Sequence, residues 1–177
     1  MSEPTIRSVT PADIDELARL RWQLYTEHGA NGESFEAYVE RFRAFARDAL
    51  ARDDWRAWCA AADDRLVAAM WLQTVPRVPA PGRRDPSPIG YLTNMYVEPD
   101  HRSRGLGSRM VRQLINNCAA EGFDVVIAFP ADDAFGFYER NGFTRPPDPV
   151  VHDLAPEHRP QRMDQRSGLM IERSDPV

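Results

Sequence analysis

The sequence contains no lysine, and its 22 arginines carry all of its permanent positive side-chain charge. A nucleotide-binding P-loop needs a lysine on the phosphates, and pyridoxal-phosphate or aldolase chemistry needs a lysine that forms a Schiff base. The missing lysine therefore excludes these classes of site. Compositional bias of the source genome would explain the absence, and the exclusions hold whatever its cause.

Cysteine and histidine are also scarce. The two cysteines, Cys59 and Cys118, lie far apart in the sequence, which indicates a reducing cytosol and no disulfide framework. We expect both cysteines to be core residues. The histidines show no H-x-x-x-H spacing and no C-x-x-C pair accompanies them, so no metal site is expected. They are His28, His101, His152 and His158.

Surplus positive charge and long apolar runs are missing too. The net charge is −5, whereas a general nucleic-acid binder needs surplus cationic side chains. No apolar run approaches the roughly 20 residues of a membrane span, and the segment MSEPTIRSVT lacks the pattern of a secretory signal. With 42% hydrophobic and 28% charged residues, the composition predicts one cytoplasmic globular domain over residues 1–177, with neither nucleic acid nor membrane as partner.

Hydrophobic periodicity predicts an α/β chain with the element order β-α-α-β-β-β-α-β-α-β-β. Thr10 and Pro11 begin the first helix as N-cap and first helical residue, and an Asp63-Asp64 turn joins two strands into a hairpin. The run FDVVIAF is apolar except for Asp124, and this pattern predicts a buried parallel strand. Six of the seven strands in this order are assigned to residues 5–10, 55–61, 65–75, 89–97, 123–129 and 168–174. The predicted helices are 11–25, 35–51, the segment from 106 that Gly122 ends, and 132–140.

The stretch HRSRGLGSRM, residues 101–110, places arginines and glycines where a helix begins. Positive charge is unfavourable at a helix N-terminus, so a bound anion would explain the arginines. Gly105 and Gly107 let a ligand approach the backbone, whose successive N–H groups suit a diphosphate. Arg102 and Arg104 can add contacts to phosphate oxygens. The alternative is a turn with solvated arginines; a Rossmann site is disfavoured, because the spacing R-x-x-G-x-G differs from G-x-G-x-x-G.

A second segment, FYERNGF at residues 137–143, follows the next predicted strand. Together, MYVEPDHRSRGLGSRM and AFGFYERNGF resemble the signature of the GNAT superfamily of N-acetyltransferases, and the order of elements around them is similar too. The resemblance covers essentially the whole chain, although its motifs span only residues 95–143. The matching positions are Val97, Pro99, Arg102, Gly105, Gly107, Ala134, Phe137, Tyr138, Gly142 and Phe143.

The resemblance implies a GNAT fold, in which a mixed, mostly antiparallel twisted sheet binds acetyl-CoA where its fourth and fifth strands splay apart. The backbone of Met95 and Val97 would pair with the pantetheine arm like an added strand, with Tyr96 between them. Tyr138 would stand beside the CoA sulfur as general acid, and no metal is implied. The turn would hold the pyrophosphate by its backbone, through Arg102, Ser103, Arg104, Gly105, Leu106, Gly107 and Ser108.

The chemistry of acetyl transfer needs the same parts. An amine attacks the thioester carbonyl, and a backbone N–H near Met95 can stabilise the growing negative charge on its oxygen if a bulge frees that N–H. The departing thiol has an ordinary pKa of about 8.5, so a nearby phenol can usefully protonate the thiolate. The alternative for Tyr138 is an amphipathic core residue packed by Phe137 and Phe143.

This sequence departs from the family pattern at one contact to the pantetheine and at the general base. Many members carry an asparagine seven residues before the tyrosine, where this sequence has Ala131, so one contact to the pantetheine is in doubt. Some members use a glutamate of the fourth strand as general base, where this sequence has Tyr91. The amine would then lose its proton through water or through a residue of the first inter-helix loop, where solvated roles are the ordinary expectation. The candidates are Glu27, His28 and Glu33.

These features predict an acetyl-CoA-dependent N-acetyltransferase that acts on a primary amine of a small molecule or a peptide. The alternative is a catalytically silent acyl-CoA-binding or sensor domain, and a homodimer is possible. Segments 27–35 and 146–161 are expected to shape the acceptor site, where an acidic rim would attract a cationic amine. The charged residues in or directly beside these segments are Glu27, Glu33, Glu36, Asp148, Asp153 and Glu157, against Arg145 and Arg159.

Overall fold

The computed structural model describes residues 3–27, 29, 32–79, 81 and 87–144. The chain divides into two compact units, Met1–Phe129 and Pro130–Val177, which are described one at a time. The expectation of a single domain stays a prediction. The predicted last strand, 168–174, lies outside the described residues.

Among the described residues, a five-stranded sheet forms the centre of the first unit. Its strands neighbour one another in chain order, from β1 to β5. The first four pair antiparallel, whereas β5 pairs parallel to β4, so the predicted mixed and mostly antiparallel sheet is confirmed. The strands are β1 Thr5–Ser8, β2 Trp55–Ala62, β3 Arg65–Val75, β4 Ile89–Val97 and β5 Val125–Ala128.

The four predicted helices are confirmed. Three belong to the first unit: α1 Ile14–Glu27, α2 Phe35–Leu50 and α3 Leu106–Ala120. The fourth, α4 Phe135–Arg140, belongs to the second unit. Two details differ, because 3-10 turns over Pro11–Asp13 and Asp132–Ala134 precede α1 and α4.

Local sequence explains the β2–β3 turn. Asp63 and Asp64 have φ angles of 48° and 61°, and the flanking residues Ala62 and Arg65 pair across the hairpin. Positive φ at both central residues is the type I′ geometry, whose twist matches that of the flanking strands. The predicted hairpin is therefore confirmed.

Side chains of β3 divide the core between the two faces of the sheet. Ala69 and Trp71 pack with α1 and α2 in one buried cluster. Met70 and Leu72 are also buried but alternate to the opposite face. That is the face of α3, whose Met110, Val111 and Leu114 are buried and which packs against β4. The sheet is thus covered by helices on both faces.

Both cysteines are free and buried, as predicted for core residues. Burial raises the pKa of the Cys59 thiol to about 11, and it raises the pKa of the Cys118 thiol as well. Because the thiolate is the nucleophilic form, neither thiol is activated for chemistry near neutral pH.

The fifth strand is parallel as predicted, but the expectation that its apolar run is buried is wrong. Val125, Ile127 and Phe129 are 46%, 38% and 59% exposed. Val126 instead points inward, 3.3 Å from the position that a Cβ on Gly90 would take. Alternate side chains of β5 point to opposite faces, and the residues on one face are the more exposed ones. Because both faces of this strand are apolar, sequence periodicity could not distinguish them.

Asp13 should stabilise the fold at neutral pH and lose that effect in acid. Arg7 pairs with its carboxylate at 2.7 Å, and Thr10 donates its N–H and its hydroxyl to it, each at 2.8 Å. These bonds, chiefly that of Arg7, hold the pKa of Asp13 far below its ordinary range. Because the folded pKa is the lower one, the stabilisation is present above the unfolded pKa of about 4 and declines as the pH falls below it.

We therefore expect the free energy of unfolding, measured by urea titration, to fall between about pH 5 and about pH 3 more steeply in the wild type than in Asp13→Asn. The asparagine variant keeps the shape of the side chain but cannot titrate. Equal slopes for the two proteins would contradict the role given to Asp13.

Candidate active site

A β-bulge interrupts β4 between its pairings with β3. Ala69 pairs with Tyr96 and Trp71 pairs with Thr93, so β4 advances three residues while β3 advances two. Asn94 occupies the extra length with a φ of 52°, in the left-handed region that asparagine tolerates better than most residues. A bulge leaves one backbone group of the ladder unpaired, and here that disruption falls at Asn94 and the residue after it, Met95.

The bulge also reverses which face of the sheet the β4 side chains occupy. Leu92 pairs with Leu72 on the α3 face, whereas Tyr96 pairs with Ala69 on the α1–α2 face. Residues four apart on a regular strand would share a face. The side chain of Tyr96 is accordingly buried in the α1–α2 core, so a cosubstrate along this strand would meet Tyr96 through its backbone.

Strands β4 and β5 part beside the bulge. Their parallel pairing runs from Ile89 with Val125 to Leu92 with Ala128. Within the part of the chain that the structure describes, no further pairing joins β5 to the rest of β4. The predicted splay of the fourth and fifth strands therefore begins one residue before the bulge.

The arginine–glycine turn leads from β4 into α3. Ser103 has a φ of 59°, and Gly105, the N-cap of α3, has a φ of 77°. The first backbone N–H groups of a helix have no partner within it; in α3 these are the groups of Leu106, Gly107 and Ser108, before Arg109 N–H bonds to Gly105 O at 3.0 Å. The side chain of Leu106 is buried, so the predicted contact of this residue with a diphosphate would involve its backbone.

The side chain of Arg102 turns back toward β4 and α1. Its Nε donates to the carbonyl of Val97 at 2.8 Å, and its Nη2 donates to a carboxylate oxygen of Glu27 at 2.7 Å. Its guanidinium lies 5.3 Å from the ring centre of Tyr96, and the hydroxyl of Tyr96 donates to Glu27. Burial and the neighbouring Glu27 carboxylate raise the pKa of Tyr96 above its ordinary range. Sequence analysis missed this cluster, because Glu27 lies 69 and 75 positions from its two partners.

A groove of about 640 Å³ opens beside the same turn. Glu98, one of its lining residues, is buried and pairs with Arg19 of α1 at 2.5 Å and with Arg65 of β3 at 2.9 Å. These pairs fix the end of β4 against α1 and β3. The groove is lined by Ala62, Asp63, Arg65, Val67, Glu98, Pro99, Asp100, His101, Arg102 and Arg104.

Tyr138 lies on α4 in the second unit, between two phenylalanine rings. The rings of Phe137 and Phe143 each lie 5.2 Å from the Tyr138 ring, edge to face at 82°. The N–H of Phe143 bonds to Tyr138 O at 3.1 Å and the N–H of Gly142 bonds to Glu139 O at 3.1 Å. These two bonds and the φ of 88° at Gly142 form a Schellman C-cap with its hydrophobic contact. The short helix thus fixes the orientation of the Tyr138 ring within its unit.

The model of the Acetyltransferase (GNAT) family matches residues 14–143, which is more than half of the chain. The chain belongs to the GNAT acetyltransferase family. Glucosamine 6-phosphate N-acetyltransferase 1 of Oryza sativa subsp. japonica is 28% identical over 142 residues, covering 76% of this chain and 79% of that protein. Glucosamine 6-phosphate N-acetyltransferase of Trypanosoma brucei brucei is 26% identical over 88 residues, 50% of this chain and 57% of that protein.

The fold of this GNAT acetyltransferase is also that of solved structures. A predicted acetyltransferase of Clostridium acetobutylicum, crystallised with acetyl-CoA, superposes with a TM-score of 0.74 at 19% identity. The match covers 89% of this chain and 100% of that one. The GNAT fold expected from the sequence is therefore confirmed.

Two of the candidate general bases of this GNAT chain are paired with other side chains, and the third lies outside the described residues. Glu27 accepts from Tyr96 and Arg102, and Glu33 pairs with Arg41. His28 and the predicted acceptor segment 146–161 lie outside the described residues. Tyr91, at the position of the family's glutamate, packs its ring 5.7 Å from Phe129. The compensated charges of the two glutamates weaken the expectation of an acidic rim.

Neither a membrane-spanning helix nor a metal-binding cluster occurs among the described residues of this GNAT chain. These residues contain no helix that is both long and apolar enough to cross a membrane. They also contain no group of three or more His, Cys, Asp or Glu side chains that could hold a metal ion.

Proposed function

We propose that this GNAT acetyltransferase transfers the acetyl group of acetyl-CoA to a primary amine by direct attack on the thioester. The observation that carries the proposal is the bulge at Asn94, which lies where β4 and β5 part. The end of β4 and the arginine–glycine turn follow the bulge in the chain and lead to the N-terminus of α3. An extended thioester cosubstrate needs an N–H donor at its carbonyl and several more at its diphosphate. In this proposal the bulge provides the first donor and the N-terminus of α3 provides the others.

In the proposed reaction the nitrogen of the neutral amine forms a bond to the thioester carbon. Negative charge collects on the carbonyl oxygen, which the N–H of Met95 stabilises. The tetrahedral intermediate collapses with cleavage of the carbon–sulfur bond, and Tyr138 gives its hydroxyl proton to the thiolate. The amine proton leaves to water, and the Tyr138 phenolate regains a proton from water. The products are the N-acetylated amine and free CoA.

The acceptor that we propose is a small-molecule primary amine. Two relatives are named for acetyl transfer to glucosamine 6-phosphate, a small amine, and this supports the size class without identifying the acceptor of this chain. A peptide amine is the second class to test. The cytoplasm is the compartment that we propose, since both cysteines are buried and free.

The test measures free CoA released from acetyl-CoA by the purified protein with a panel of amines. The panel contains glucosamine 6-phosphate, a polyamine, an aminoglycoside, a neutral amine and peptides with free N-termini. Release that depends on an amine, with the acetylated product found by mass spectrometry, is the expected result. Tight binding of acetyl-CoA without release for any amine would instead support the silent acyl-CoA-binding or sensor domain.

A further inference from the structure

One carboxylate joins the two parts of the proposed cosubstrate site. Glu27 is the last residue of α1, and it accepts hydrogen bonds from the hydroxyl of Tyr96 and from Arg102. Tyr96 directly follows Met95 at the bulge, whereas Arg102 opens the turn that leads into α3. The carboxylate therefore connects the oxyanion side of the site to its diphosphate side through two side chains.

Both connected segments contain backbone that needs support. Asn94 in the bulge and Ser103 in the turn have φ angles of 52° and 59°. Residues other than glycine persist in this region only when surrounding contacts hold them there. Arg102 supplies such contacts, because its Nε closes the segment from Val97 to Arg102 with a bond of 2.8 Å and its Nη2 is fixed on Glu27.

We infer that Glu27 is a positioning residue, which with Arg102 and Tyr96 holds the bulge and the diphosphate turn at the spacing that acetyl-CoA requires. Arg102 then supports CoA binding by holding the turn, and its contribution passes through the backbone rather than through a direct bond to phosphate. This inference rests on the proposed function, since it concerns the same cosubstrate.

Whether CoA affinity rises or falls when Glu27 is removed distinguishes a positioning role from a purely electrostatic one. CoA is a polyanion, so removing a nearby carboxylate should tighten its binding, and more so at low salt. If Glu27 only neutralised Arg102, its loss would also free that guanidinium for the phosphates. Positioning predicts the reverse, because without Glu27 the turn loses its support and CoA binds more weakly.

The experiment measures CoA affinity by calorimetry at low and high salt, together with kcat and KM. We expect Glu27→Ala to weaken CoA binding about tenfold, the size of one lost charge-assisted hydrogen bond, and Glu27→Gln to restore part of the loss. Tyr96→Phe should lower kcat more than it raises KM, because it releases the bulge alone. Since Glu27 and Arg102 act as one unit, the double alanine variant should bind CoA about as weakly as either single variant.

Asp100→Ala is the matched control, because it removes an exposed carboxylate only two residues from Arg102. It should leave CoA affinity unchanged or slightly tighter, and thermal unfolding verifies that every variant is folded. Unchanged or tighter CoA binding in folded Glu27→Ala would overturn the inference and leave the proposed function intact. Failure of the wild type to bind acetyl-CoA would overturn both.

Discussion

Replacing Gly107 by valine should abolish CoA binding and leave the fold intact. Gly107 is the second residue of α3, and its N–H is among those that a diphosphate at this turn would use. A branched side chain there would prevent two or three charge-assisted hydrogen bonds between the backbone and the phosphates. The binding free energy would fall by about 3 kcal/mol or more. That loss corresponds to a Kd at least about 100-fold weaker, measurable by calorimetry.

Folding should tolerate the valine, because valine has a better helix propensity than glycine. Gly105 provides the contrasting control. Its φ of 77° strains any side chain although the space around it is open, so Gly105→Ala should lower the free energy of unfolding by roughly 1 kcal/mol. CoA binding by folded Gly107→Val within twofold of the wild type would remove the turn from the proposed site.

Replacing Tyr138 by phenylalanine should lower kcat by roughly 10- to 1000-fold with acetyl-CoA affinity nearly unchanged. General-acid assistance is typically worth about 10²- to 10⁴-fold, and water can partly take its place. The ring packing on Phe137 and Phe143 is retained, because only the hydroxyl is removed. The fall in kcat would therefore report on chemistry rather than on folding.

The measurement requires saturating acetyl-CoA and conditions in which chemistry limits the rate. Tyr25→Phe serves as control, since it removes the hydroxyl of an exposed tyrosine on α1. A kcat for Tyr138→Phe within about twofold of the wild type would show that Tyr138 is a packing residue, the alternative that its sequence context left open.

Features set by neighbouring residues could be predicted from the sequence. Asp63-Asp64 indicated the hairpin, and Gly122 indicated the end of α3, where its N–H and that of Phe123 close a Schellman cap on Ala119 and Cys118. The conformations of such segments depend on a few adjacent side chains and on glycine at positive φ. The family signature belongs to the same class, because its glycines and its tyrosine lie at fixed spacings within two short segments.

Tertiary structure alone decided three other features. From the sequence, a bulge near Met95 is only a requirement of the chemistry and not a prediction. The position of the bulge depends on how β4 pairs with β3, and Asn94 is its one local signal. The exposed face of β5 depends on which side of an apolar strand its neighbours cover. The cluster of Glu27, Tyr96 and Arg102 joins residues up to 75 positions apart. Contacts of this kind leave no periodic pattern in the sequence, since chain folding rather than local conformation brings the side chains together.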